Sequence, residues 1–265
     1  MAPERAPRSP GWTLADFANS GTPGVRIRGG GLSGLDVPLP PGLISSGRTP
    51  VSSDIVQLES NLIRSDCQAM QKLKREDLLS LEDYSEKRSE SRAKVLAHKR
   101  TRTLGLGAHV TLLFEDRLTI QYQVQEMLRI ERIFERVAIE EELAAYNPLI
   151  PDGTNWKATM LIEYPDAVER GSALEQLKGI EHAVWVSIGG GSRIAAVADE
   201  DMARGDENKT SAVHFLRFEL DRKSIAAVRS GARIAFGVSH PAYQAEICPL
   251  PSEVRRSLVA DLDSG

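Results

Sequence analysis

Histidines and carboxylates able to do acid–base or metal chemistry are present in this sequence, but few are spaced to act together. His109, His182, His214 and His240 are scattered, and none stands three or four positions from another as a short-spaced ligand pair would. His214 lies inside the apolar run Val213-His214-Phe215-Leu216, where a structural histidine on a sheet face is the first expectation and an acid or base the second. Glu126, Glu131 and Glu135 share one helical stretch, and the last two, one turn apart, could approach one ion. Arg129, Arg132 and Arg136 interleave with them, and no histidine completes the di-iron signature of helical bundles. A salt-bridged surface follows, which makes Glu126, Arg129, Glu131 and Arg132 candidates for docking a partner.

The densest polar grouping lies at 146–157. Asn147, Asp152, Asn155 and Lys157 concentrate donors and acceptors on a connection stiffened by Pro148 and Pro151 and turned at Asp152-Gly153. With Lys157 holding an anion and His214 serving as acid or base, this loop is the candidate ligand site. Its alternative is a loop whose polar groups satisfy their own backbone. Gly189-Gly190-Gly191-Ser192 lacks the Lys-Ser/Thr of a phosphate loop and separates two strands, so it reads as a hairpin turn. No serine occupies a Gly-x-Ser-x-Gly elbow. Seven Lys or Arg fall within 87–102, but no aromatic residue interleaves for base stacking, and a net charge of -4 adds no field for nucleic acid.

The elements that must position these groups are readable from Gln71 onward. Ser80 with Asp83 marks the start of a sparse helix running to about Arg100. Strands are expected at 103–106 and 109–114. Leu118, Ile120, Tyr122 and Val124 alternate as in a strand, while Ile120, Val124, Met127, Leu128 and Phe134 keep helical spacing; the helix is assigned to 123–136. A short helix at 140–146 precedes the polar loop. A strand at 156–164, a helix at 166–178 and a hairpin at 183–198 follow, then a polar excursion at 199–210. The order recurs as a strand at 213–220, a helix at 221–230 and strands at 232–238 and 243–248, before a last helix from Pro251 to Leu262. The recurrence, about 56 residues on, suggests a duplicated strand-helix-strand-strand unit within an α+β domain. Such units would build one mixed sheet, or two facing sheets, with helices outside.

Composition bounds the rest. Residues 1–69 hold 26 Gly, Pro or Ser and no sustained apolar period, so they are expected to be a disordered leader, or to precede the true start at Met70, with a single domain at 70–265. Two cysteines, Cys67 and Cys248, cannot supply a four-thiolate centre, so no cofactor is assigned. No apolar run approaches the roughly 20 residues of a membrane span, and no signal-like stretch opens the chain, which suggests the cytoplasm.

The runs His109-Val-Thr-Leu-Leu-Phe-Glu-Asp-Arg, Gln123-Val-Gln-Glu-Met-Leu-Arg-Ile-Glu-Arg-Ile, Tyr146-Asn-Pro-Leu-Ile-Pro-Asp-Gly-Thr-Asn and Lys209-Thr-Ser-Ala-Val-His-Phe-Leu-Arg-Phe-Glu resemble domain-of-unknown-function family 3501, a bacterial family, over 71–262. The resemblance implies partners encoded nearby, a rubrerythrin and a cysteine-rich iron–sulfur protein similar to heterodisulfide-reductase subunits. It implies no catalytic residue. The expected function is a cofactor-free accessory or docking partner of that redox system. The alternative is a small-molecule-binding protein or enzyme using the 146–157 loop and His214.

Overall fold

Ser80 caps the first helix, α1 (Leu81–Lys99), by accepting from the Asp83 amide, and Glu82 and Asp83 stand at the positive end of its dipole. Only Tyr84 and Val95 of α1 are buried, as its sparse apolar stripe implied. The computed structural model describes residues 71–198 and 209–263, all of which fall in the compact unit Glu59–Gly265. The expectations for residues 1–69, and most of the polar excursion, lie outside the described residues. A 3-10 turn at Arg100–Arg102 leads into β1 (Thr103–Leu106) and β2 (Val110–Phe114), a hairpin that bends at Gly107 with φ +75°.

The next helix, α2 (Arg117–Glu131), starts six residues earlier than the sequence period suggests. The capping box decides this against the strand alternative: the Thr119 amide donates to the Asp116 carboxylate, and the Asp116 amide donates back to the Thr119 hydroxyl. The helix also ends early. Arg132 takes the left-handed conformation (φ 56°, ψ 44°), so Ile133 and Phe134 leave the helical phase, and α3 (Arg136–Tyr146) begins four residues before the expected 140.

Beyond the loop come β3 (Asn155–Ile162), α4 (Ala167–Gln176), β4 (Val184–Ile188), β5 (Ile194–Ala195), β6 (Val197–Ala198), β7 (Val213–Glu219), α5 (Arg222–Arg229), β8 (Ile234–His240), β9 (Tyr243–Ile247) and α6 (Ser252–Ala260). Asp166 and Asp221 cap α4 and α5 through amides of the first turn. Two antiparallel sheets result, ordered β1-β2-β3-β7-β6 and β5-β4-β8-β9. The fold is α+β with two sheets rather than one mixed sheet. The orders β3-α4-β4-β5 and β7-α5-β8-β9 repeat as expected, and each copy contributes one strand to each central pair, β3 beside β7 and β4 beside β8. Exchanging the copies leaves the second sheet's order unchanged, a two-fold arrangement of topology.

The inner faces of the sheets meet around Phe236, whose ring lies 5.2 Å from Phe114, 5.2 Å from Phe218 and 5.9 Å from Trp156. Leu174 of α4, Val228 of α5 and Leu258 of α6 belong to the same core. Burial of each such side chain stabilises the fold by about 1.5–3 kcal/mol. Tyr84, Ile120, Val124 and Leu128 are buried outside that core, in a helical layer formed by α1 and α2. No described helix is long and apolar enough to cross a membrane.

Candidate functional site: an apolar groove on the helical layer

The early end of α2 creates an unusual surface. Phe134, expected to pack on a helix running to 136, is instead 73% exposed, with Val137 at 67% and Ile130 at 52%. Phe134 lines a cleft of about 470 Å³ together with Leu78, Leu79, Leu128, Ile133 and Ile139. The far wall is the strap 75–79, which opens with a 3-10 turn at Arg75–Asp77. Buried Gln125 of α2 fixes that strap: its amide donates to the Leu79 carbonyl at 3.0 Å, and its oxygen accepts from the Leu79 amide at 3.0 Å. Gln121 adds a bond to the Asp77 carbonyl, and Arg117 pairs with Asp77 at 2.8 Å. The groove is therefore preformed by hydrogen bonds rather than left to fluctuating apolar contacts.

The four docking candidates divide. Glu126 is buried and accepts from the Tyr84 hydroxyl at 2.6 Å, Arg88 at 2.8 and 2.9 Å, and Arg129 at 3.1 Å. It clamps α1 to α2. Although burial opposes its charge, the bonds from Arg88, Tyr84 and Arg129 hold its carboxyl down at about 2. Arg129 is thus committed to Glu126, while Glu131 and Arg132 are exposed where α2 ends. Burial, then the neighbouring charges of Glu131 and Glu141, push the Glu142 carboxyl up.

The loop candidates are tied to backbone and to one another. The Asn147 side chain exchanges hydrogen bonds with both backbone groups of Leu73. Asp152 accepts from Thr154 and from the Asn155 side chain. Lys157 donates to the Pro148 and Ile150 carbonyls at 2.6 and 2.9 Å, and Lys72 donates to the same Ile150 carbonyl at 3.0 Å. Burial, then Lys72, lowers the Lys157 ammonium pKa. His214 is not brought to this loop. It pairs with Met160 on the core-facing side of the sheet, three rungs from Lys157 opposite Arg217, and its Nε2 lies 2.9 Å from both the Thr210 hydroxyl and the Ser211 carbonyl. A second cavity of about 310 Å³ does border the loop, lined by Pro148, Leu149 and Lys157 with Phe215, Arg217 and Glu115.

Two buried polar groups escaped the sequence reading. Glu115, directly after β2, accepts from the Thr119 and Thr159 hydroxyls at 2.6 and 2.7 Å and from Gln123 at 3.3 Å. Arg102, read as one charge in a basic run, is 2% exposed; it donates to the Phe114 and Glu115 carbonyls, to Ser257, and to both oxygens of Asp261. Their only signal in the sequence is the period: Arg102 directly precedes β1, and Glu115 directly follows β2. Among the described residues no three His, Cys, Asp or Glu side chains converge to hold a metal ion, and Cys248 is exposed.

The family model "Protein of unknown function (DUF3501)" matches residues 72–262. A crystal structure of a novel protein of unknown function from Burkholderia pseudomallei K96243 is 45% identical, covers 73% of this chain and 100% of its own, and superposes with a TM-score of 0.69. No curated protein matches the chain.

Proposed function

Because the chain belongs to the DUF3501 family of proteins of unknown function, whose name carries no activity, we propose from its surface that it is an accessory protein that docks on a redox partner. The partner is an iron–sulfur protein or a rubrerythrin met in the cytoplasm, and the docking surface is the groove of the helical layer. The observation that carries this reading is the exposure of Phe134 in the apolar lining of a cleft already stitched open by Gln125. Exposed large apolar side chains gathered at one place, rimmed by charge, are what an association surface presents. Glu131 and Arg132 where α2 ends would set register, while Glu126 and Arg129 support the surface from inside.

Co-purification with each redox partner, under oxidising and under reducing conditions, tests the reading. Wild-type protein should retain a partner, and Phe134→Asp should release it without loss of fold, since the ring is exposed. Retention in neither condition would overturn the proposal. The second cavity favours a rival, a small-molecule-binding protein that uses the 146–157 loop at Lys157 with Arg217 and Phe215. A ligand carried through purification and lost in Arg217→Gln would support that rival.

A further inference from the structure

Resting on the docking reading, we propose that the element seated in the groove is an amphipathic helix of the partner, apolar on one face and bearing Lys or Arg along its flanks. Three observations select it. The cleft is lined by apolar Leu79, Leu128, Ile133 and Ile139 and by the exposed ring of Phe134, against which the side chains of an inserted face can lie.

The groove also has no free strand edge to offer. Both backbone groups of Leu79 are bonded to Gln125, the Leu78 amide to the Arg75 carbonyl and the Asp77 carbonyl to Gln121. An extended segment laid here would meet groups already bonded at Asp77, Leu78 N–H and Leu79, so an occupant that satisfies its own backbone, as a helix does, suits the strap better.

The rim, finally, is acidic. Glu76 and Glu82 line the cleft, exposed Glu131, Glu135 and Glu141 stand within two residues of lining Ile133, Phe134 and Ile139, and none of these carboxylates forms an ion pair among the described residues. The arginines nearby are largely committed: Arg129 to Glu126, Arg117 to Asp77 and Arg136 to Glu140 with Glu76 as a weaker neighbour, which leaves Arg75 and Arg132. Glu131, Glu141 and partly buried Glu142 crowd one another where α2 ends. A cation from the partner would relieve that repulsion, so charge complementarity points to a basic flank.

The test uses three fluorescein-labelled synthetic peptides, read by fluorescence anisotropy against the full chain: an amphipathic Leu/Lys helix, the same pattern in Leu/Glu, and the Leu/Lys peptide with a central proline. The Leu/Lys helix should bind saturably, and the Leu/Glu and proline peptides about tenfold or more weaker, since a clash of charge or a broken helix each removes upward of about 1.4 kcal/mol. Phe134→Ser should weaken the Leu/Lys helix by about tenfold at unchanged Tm, and Glu131→Gln with Glu142→Gln should reduce its salt dependence. Equal binding of the Lys and Glu peptides, equal binding of the proline peptide, or indifference to Phe134→Ser would overturn the inference. If no peptide binds while the redox partner is still retained in co-purification, this inference falls and the docking reading stands; if the partner is not retained either, both fall.

Discussion

Replacing Glu126 with Gln separates a docking residue from an internal clamp. Glu126 is 4% exposed, and its carboxyl is held at about 2 against an ordinary 4.5. Each tenfold gain in acidity on folding is worth about 1.4 kcal/mol, so the ionised group stabilises the folded state by about 3 kcal/mol at neutral pH. A depressed folded-state value places that contribution above pH 4.5 in full, and it is lost as the pH falls towards 2. Glu126→Gln keeps the shape and part of the hydrogen bonding from Tyr84 and Arg88, so a loss of about 2–3 kcal/mol is expected at pH 7, or roughly 5–10 °C in Tm. Urea unfolding of both proteins between pH 7 and pH 3, followed by tryptophan fluorescence, should show curves that converge in acid, with more than half of the gap gone by about pH 3. A gap under about 0.5 kcal/mol at pH 7, or one that persists at pH 3, would refute the clamp. Lost partner retention with unchanged stability would return Glu126 to the docking surface.

Arg102→Met removes the bidentate partner of buried Asp261 and should cost about 3–5 kcal/mol in urea unfolding at pH 7. Burial pushes the Asp261 carboxyl up to about 6 against the pull of Arg102, so the folded state holds that proton more tightly than the unfolded one; stability should fall as pH rises from about 4 to about 6, and Asp261→Asn should flatten that slope. Gly237→Ala would drive a methyl into the Trp185 ring and to 2.9 Å from the Ala245 carbonyl, costing about 1–3 kcal/mol and altering the near-ultraviolet circular dichroism of that tryptophan. Elemental analysis of purified protein should find no stoichiometric iron or zinc; one metal per chain, lost in His214→Ala, would replace docking with metal-dependent chemistry.

What local rules govern was legible. Ser80, Asp166 and Asp221 cap the helices they announce, and the strand-helix-strand-strand order recurs because each copy carries its own caps and turns. The errors fall where a neighbour overrides the period. The apolar spacing from Ile120 to Phe134 fits one helix, but Asp116 and Thr119 start it at Arg117 and the left-handed Arg132 stops it, so the residue that completes the helical stripe on paper is the one most exposed at the groove. A left-handed arginine has no sequence signature, because glycine or asparagine is the usual occupant. Glu126 was singled out as a surface charge because Tyr84 and Arg88, which bury it, arrive from another helix. Arg102 meets Asp261 across 159 residues, a separation at which spacing carries no information.

Helix α6 binds structure made long before it. Leu258 accepts from the Trp156 indole, Asp261 from Arg102, and Leu262 lies in a parallel bridge with Gly153. During synthesis, then, the Arg102 guanidinium has only its Phe114 and Glu115 carbonyl acceptors, and the Trp156 indole lacks its own, until residues 258–261 have been made. The hairpins can form vectorially, but the domain cannot close before residues 258–262 are present. A chain truncated before residue 252 should remain protease-sensitive even at Arg102.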